Sequence, residues 1–206
     1  MSKKSLFGFV AIFIFHLVGA ISMSFDALRS FVVLLTPLHL LVTLILFFWT
    51  SFLDNKQIKL FCVLFLIGFW IEVIGVKTGS LFGVYEYGNT LGFKLLDVPL
   101  LIGVNWFLLS VSTYGVVSYV LKNKYVIIVV SSTLMVLLDL LIEPVAIQLD
   151  FWSWQNGVIP IQNYLMWWIV SAVMQLIIYS TKLRFNTAIC IAIFLSQILF
   201  FTILNL

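Results

Sequence analysis

The chain has 206 residues, 63% of them hydrophobic and 9% charged, with a formal net charge of +3 and a mean hydropathy of +1.20. These proportions exclude a soluble globular domain, in which about a quarter of residues are charged, and they leave no basic surface of the kind that holds nucleic acid. The sequence reads as an all-α, polytopic membrane helical bundle, a single integral membrane domain over residues 1–206 with lipid as its solvent.

A bilayer is crossed by about 20 mostly apolar residues. Windows of that size give seven candidate transmembrane helices, at 5–23, 31–53, 58–76, 98–120, 124–147, 161–180 and 186–204. Lys3, Lys4, Lys56, Lys59, Lys122, Lys124, Lys182 and Arg184 fall on one side of this alternation, and only Arg29, Lys77 and Lys94 on the other. The positive-inside bias then puts the amino terminus in the cytoplasm and the carboxyl terminus outside a cell (inner) membrane. Lys3-Lys4, the apolar run and Val18-Gly19-Ala20 also fit a cleaved signal, but His16 within the run and the regular charge alternation favour a retained helix.

The first span carries His16, and the second contains Thr36-Pro37-Leu38-His39, so both histidines belong to the outer half. Each reads either as a packing histidine bonded to a neighbour or as a supporting member of a site. Two histidines are too few for a membrane di-iron hydroxylase. The third span bears Glu72 about one turn inside its outer boundary. The loop that follows is rich in glycine and aromatics, and Tyr85-Glu86-Tyr87-Gly88-Asn89 alternates enough for a short hairpin or re-entrant cap, with an interfacial aromatic belt as the plainer alternative.

The fourth span is expected to begin at Asp97-Val98-Pro99 and carries Asn105-Trp106. The fifth places Asp139 and Glu143 on one face, because residues four apart stack along a helix, and its apolar run is expected to stop at Glu143-Pro144. Trp152, Trp154, Asn163 and Trp167 then lead into the sixth span. The seventh has no mid-span lysine, which argues against a retinal Schiff base. Cys62 and Cys190 lie in spans without a metal or redox spacing and read as core residues.

An internal helical-hairpin repeat emerges from this order. In each unit an outward span bears an acid near its end (Glu72; Glu143), and a loop holds an aromatic-x-aromatic pair (Tyr85 and Tyr87; Trp152 and Trp154). The returning span then has proline seven residues before tryptophan (Pro99 to Trp106; Pro160 to Trp167).

An acid in mid-span costs roughly 2.5–3.5 kcal/mol on insertion scales, so Glu72, Asp139 and Glu143 are expected to face one another or a wet cavity. With His16, His39, Asn105 and Asn163 they form one polar group in the outer half. A carboxyl group among hydrocarbon favours its neutral form and is a ready proton donor. Aromatic faces stabilise a nearby cation by about 0.5–2 kcal/mol per contact. The combination suits protonation of an alkene in a lipid-soluble substrate, and its plainer alternative is a polar network that only joins helices.

At these residues the chain resembles the carotenoid biosynthesis membrane proteins that include the carotenoid 1,2-hydratases. The matching pieces are Glu72-x-x-Gly75-x-x-Thr78-Gly79-x-x-Phe82-Gly83-x-Tyr85-x-Tyr87, Val98-Pro99 with Trp106, and Asp139-x-x-x-Glu143-Pro144-Val145. Trp152-x-Trp154 and Ile159-Pro160-x-x-Asn163 with Trp167 complete them, over residues 72–168. The chain departs from the family pattern at Asp97 and Glu143, where the family more often has Gly and Asp.

The resemblance implies a hydro-lyase that adds water to the terminal double bond of an acyclic carotenoid end group, leaving a tertiary alcohol. Its partners would be a lipophilic carotenoid, water, membrane lipid and other enzymes of the carotenoid pathway. No cofactor and no metal are called for, because hydration moves no electrons. Asp139 or Glu143 would protonate the alkene, and Glu72 with Asn163 or a histidine would position the water. Tyr85, Tyr87, Asn105, Trp106, Trp152, Trp154, Asn163 and Trp167 would line the substrate pocket, with His16, His39 and Asp97 in support. Two rivals share these residues: a membrane lycopene-type cyclase or other acid-catalysed isoprenoid enzyme, and a non-catalytic transporter or receptor.

Overall fold

The computed structural model describes residues 1–51 and 54–206. Eight α-helices follow in order: α1 (Lys3–Ser24), α2 (Asp26–Val32), α3 (Thr36–Thr50), α4 (Asn55–Thr78), α5 (Leu101–Val120), α6 (Lys124–Gln148), α7 (Ile161–Thr181) and α8 (Thr187–Leu204). Joined by a 3-10 turn at Val33–Leu35, α2 and α3 make one apolar segment. Counted that way, the described residues contain seven helices long and apolar enough to cross a membrane, as expected of a multi-pass membrane protein. The end of the second expected span, residues 52 and 53, lies outside the described residues.

Local chemistry sets the helix ends. Asp54 Oδ1 accepts from Gln57 N–H at 2.8 Å to open α4, and the Asn123 side chain accepts from Tyr125 and Val126 N–H to open α6. Gly79 closes α4 in the left-handed region at φ 63°.

Two expected boundaries are corrected. Val98 and Pro99 belong to a strand, and the fourth spanning helix begins at Leu101. The strand forms because Leu96 and Asp97 both take positive φ, 55° and 69°, which makes a two-residue hairpin turn between β2 (Lys94–Leu95) and β3 (Val98–Pro99). The fifth spanning helix does not stop at Glu143-Pro144; α6 runs through Pro144 to Gln148. Proline removes one backbone donor there, and Asn205 Nδ2, just past α8, reaches across to the Leu141 carbonyl at 2.8 Å in the same turn. A third reading also changes: Cys190 is buried, but Cys62 is exposed on the outer surface of α4.

The most enclosed helix is α5, 78% buried over its apolar window, and it packs against α3, α4, α6, α7 and α8. Small residues let its neighbours approach closely. At Gly115 an added Cβ would lie 2.3 Å from Cys190 Sγ.

At the opposite end of the bundle from Lys56, Lys122 and Lys182, the connections carry short strands. β1 (Tyr85–Tyr87) does not fold back on its own loop as a local hairpin. It pairs antiparallel with β4 (Trp152–Trp154), Tyr85 opposite Trp154 and Tyr87 opposite Trp152. The two aromatic-x-aromatic pairs of the sequence repeat are thus partners in one ribbon.

Candidate active site

The first half of the site is built on α4. Gly68 and Glu72 share a helix face, and a Cβ at Gly68 would lie 2.6 Å from Trp106 Cβ. Glycine therefore allows α5 to close on α4, and Trp106 Nε1 donates to Glu72 Oε1 at 2.9 Å. At Gly75 a Cβ would lie 2.9 Å from the Tyr85 hydroxyl, so the second glycine opens the path by which Tyr85 donates to Glu72 Oε2. Tyr87 donates to the same oxygen at 2.8 Å. Burial first, then the charge of Glu72, pushes both phenol hydroxyls well above their ordinary range, which keeps them protonated as donors.

On the second half, Glu143 Oε2 accepts from Trp152 Nε1 at 3.0 Å and from Trp154 Nε1 at 2.8 Å. Its other oxygen accepts from Asn163 Nδ2 at 3.1 Å, and the same amide nitrogen donates to Asp139 Oδ2 at 2.9 Å. Asn163 thus bridges the two acids of α6 from the first turn of α7. Asp139 Oδ1 has no hydrogen-bond partner among the described residues. Glu72, Asp139 and Glu143 are all buried, and neither recorded ion pair involves them among the described residues.

The halves share a plan, although the donors from the returning helices differ in position, Trp106 seven residues after Pro99 and Asn163 three after Pro160. Each glutamate near the end of an outward helix takes two donors from its own aromatic-x-aromatic strand and one from its own returning helix. The halves then meet: β1 pairs with β4, Tyr85 lies against Trp154 with ring centroids 5.0 Å apart, and the equivalent Trp106 and Trp167 stack at 4.3 Å.

Between the glutamates is a cavity of about 20 Å³, lined by Glu72, Glu143, Tyr85, Asn105, Trp152 and Asn163 among others. That is room for about one water. Beside it lies a far larger, mainly apolar chamber of about 350 Å³, enclosed by α1, α3, α5, α6 and α8. Ile102, Asn105 and Trp152 line both spaces. Val18, Leu35 and Leu38 line the chamber and are also exposed on the outside of the bundle, so the chamber reaches the lipid side.

The three acids, the six aromatic donors and stackers, Asn105 and Asn163 therefore gather as the sequence pattern suggested. Two expectations change. Asp97 lies on the surface, paired with Lys77, whose hydrogen bond and charge hold its carboxyl below the usual range; it is outside the site because the β2–β3 turn carries it into the open. His16 and His39 meet each other, Nε2 of His39 at 3.1 Å from Nδ1 of His16, on the wall of the chamber and not beside a carboxylate. Asn163 bonds Asp139 and Glu143 and lines the same cavity as Glu72.

Sequence reasoning also missed the main role of the aromatics, which bond the acids through N–H and O–H groups in addition to lining the cavity. The available signal was their type: Tyr85, Tyr87, Trp106, Trp152 and Trp154 all carry a polar handle, and no phenylalanine holds any of these positions.

Comparison with known proteins gives a family and one curated relative. A family model described as "Carotenoid biosynthesis protein" matches residues 11–206. The chain is similar to the bisanhydrobacterioruberin hydratase of Haloarcula japonica, 34% identical over 122 residues that cover 55% of this chain and 42% of that protein. The match thus spans less than half the length of the relative. No solved structure matches.

Proposed function

The chain belongs to the carotenoid biosynthesis protein family, and from that premise we propose that it is a carotenoid hydratase, adding water to the terminal double bond of an acyclic carotenoid end group. The observation that carries this reading is the pair of adjoining spaces. A cavity large enough for about one water lies between two buried glutamates and opens beside a lipid-accessible apolar chamber.

In this reading the polyene end enters the chamber from the bilayer and brings its isopropylidene carbons past Asn105 and Trp152. Asp139 and Glu143, joined through Asn163, hold one proton between them, because two negative charges so close cannot both be retained in an apolar interior. Glu143 is the donor, since it lines the cavity and Asp139 does not. Protonation of the less substituted alkene carbon leaves a tertiary cation, which the π-faces of Trp152, Trp154 and Tyr85 stabilise. The water held by Glu72 attacks the cation, and Glu72 accepts the proton that water releases. Return of that proton to the Asp139–Glu143 pair through the next water closes the cycle with no net change in protons or electrons.

By the positive-inside bias, the end bearing Lys3, Lys56, Lys122 and Lys182 is cytoplasmic, which puts the carboxylate site in the outer half of the cell membrane. The whole chain acts as one membrane domain, with other carotenoid-pathway enzymes as neighbours.

The test is expression in a host that accumulates a carotenoid with an acyclic end group, followed by chromatography with mass detection. The expected product is heavier by one water and more polar. An isomer of unchanged mass would identify a cyclase, in which an internal double bond captures the same cation. Unaltered pigment, with the protein verified in the membrane, would defeat the proposal.

A further inference from the structure

Among the described residues, Ile102, Asn105 and Trp152 are those that line both the water-sized cavity and the apolar chamber. Ile102 has no polar atom in its side chain, and the Trp152 indole N–H is committed to Glu143. Asn105 is different. Its side-chain amide makes no hydrogen bond among the described residues, and neither of its polar atoms is sealed off as Asp139 Oδ1 is. Its helix, α5, is packed against α3, α4, α6, α7 and α8, so the half-buried residue opens onto the two spaces it lines. A free amide donor and a free carbonyl acceptor therefore stand at their junction.

The other polar groups are placed or used differently. His16, Ser22, Thr36, His39 and Gln197 stand on the chamber wall and do not touch the cavity. Inside the cavity, Tyr85, Tyr87 and Trp106 spend their donors on Glu72. Asn163 spends its amide nitrogen on Asp139 and Glu143, which leaves its carbonyl oxygen, and Trp167 has a donor only. Glu72 takes two donors on Oε2 and one on Oε1; with about four lone-pair positions on a carboxylate, one remains on Oε1. A cavity of about 20 Å³ has room for about one water, so its occupant touches both Glu72 and Asn105.

On the hydratase reading, we propose that Asn105 is the residue that commits the cation to water: its Oδ1 accepts one O–H of the nucleophile while Glu72 Oε1 accepts the other, turning the oxygen lone pair toward the chamber. The cation has two exits. In one, the water lone pair forms the C–O bond and the released proton passes to Glu72, giving the tertiary alcohol. In the other, a C–H bond beside the cation breaks, its electron pair restores a double bond, and the proton returns to the Asp139–Glu143 pair, giving an alkene with no net addition. An amide favours the first exit, because it holds water in line before the cation forms and is too weak a base to take a proton from carbon. Met166 holds the corresponding place in the other hairpin, one residue before Trp167, so the amide belongs to the Glu72 half alone.

The test reads both exits at once. Membranes carrying the full-length wild type or Asn105→Leu, an apolar side chain of similar size, are supplied with lycopene, an acyclic carotenoid, in D2O. Mass detection then follows the alcohol and the deuterium in recovered alkene. The donor proton comes from solvent, so a cation that reverts leaves deuterium on carbon. The wild type should give alcohol with little deuterium in the alkene. In Asn105→Leu the alcohol should fall about tenfold to a hundredfold, as loss of a hydrogen bond to the reacting water gives, while deuterium in the alkene rises severalfold. Glu143→Gln, which lacks the donor, should lose both.

Alcohol at the wild-type rate in Asn105→Leu would overturn the proposal. So would a joint loss of alcohol and deuterium in both Asn105→Leu and the smaller Asn105→Val, which would make the residue a structural support. Wild-type membranes that yield no alcohol would defeat the hydratase reading and this role with it, whereas an active wild type beside an equally active variant would defeat the role alone.

Discussion

Trp106 and Trp167 stack with their ring centroids 4.3 Å apart and their planes 28° from parallel, and only Trp106 of the two donates its indole N–H to a carboxylate, Glu72. The stack joins the two helical hairpins, and the N–H tunes one acid. Trp106→Phe separates these roles by keeping an aromatic face and deleting the donor. Product formation should fall about tenfold to a hundredfold, the value of one hydrogen bond to a charged group, while the thermal midpoint in detergent moves little. A variant with full activity would remove Trp106 from the site.

Glu143 and Asp139 are one helical turn apart, but only Glu143 lines the water-sized cavity. Glu143→Gln should therefore lower product formation by about a hundredfold to ten-thousandfold, as loss of a general acid does. Asp139→Asn, which disturbs the acid behind it, should cost about tenfold. Rates for the two purified variants decide the order; equal loss in both would assign the donor role to the pair and not to Glu143.

Gly68→Ala places a methyl where Trp106 Cβ already lies, 2.6 Å away. Neither atom is the flexible end of a long chain, so α5 must back away from α4. A destabilisation of about 1–3 kcal/mol is expected, as for overpacking in a well-filled core, together with loss of activity through the displaced Trp106. Chemical or thermal unfolding in detergent measures the first effect, and an unchanged midpoint would contradict the packing described for α4 and α5.

Tyr85 and Tyr87 have hydroxyls pushed upward by burial and by Glu72. A raised value means that the neutral donor persists as the pH rises. Titrated to about pH 11, where ordinary tyrosines have ionised, the wild type and a Tyr85→Phe/Tyr87→Phe variant should give the same tyrosinate absorbance per molecule. A larger signal in the wild type would show that these two phenols titrate normally.

Asp97 is a contrasting case. Its carboxyl is exposed and held ionised by Lys77 on the surface, so Asp97→Asn should leave product formation within about twofold of the wild type, as exposed ion pairs usually do. A large loss in a steady-state assay would restore it to the site.

Much of the architecture could be read in advance because lipid imposes it. Apolar length and alternating lysines mark the helices, and the cost of burying Glu72, Asp139 and Glu143 requires that they find partners. The repeat located the equivalent residues in both hairpins. What escaped was the pairing of distant strands and the direction in which each side chain faces around the bundle. Tyr85 and Trp154 are 69 residues apart in the chain, and no local pattern predicts that their strands pair. Val98-Pro99 read as a helix start because proline favours that place, yet the positive φ of Leu96 and Asp97 belongs to a turn that neither side chain advertises. His16 and His39 were grouped with the acids by depth alone, and depth carries no azimuth around the bundle.

The aromatic ribbon relates the two hairpins by symmetry. Antiparallel pairing of two corresponding strands is what a twofold axis produces when one hairpin meets a copy of itself. Such an axis sets Glu72 and Glu143 in corresponding places, and only their surroundings tell them apart. The tyrosines bond Glu72, the tryptophans bond Glu143, and Asp139 and Asn163 stand on the side of Glu143 only. The twofold relation of the backbone is thus broken in chemistry, by the difference between Tyr-x-Tyr and Trp-x-Trp, around two carboxylates that the strands alone would leave alike.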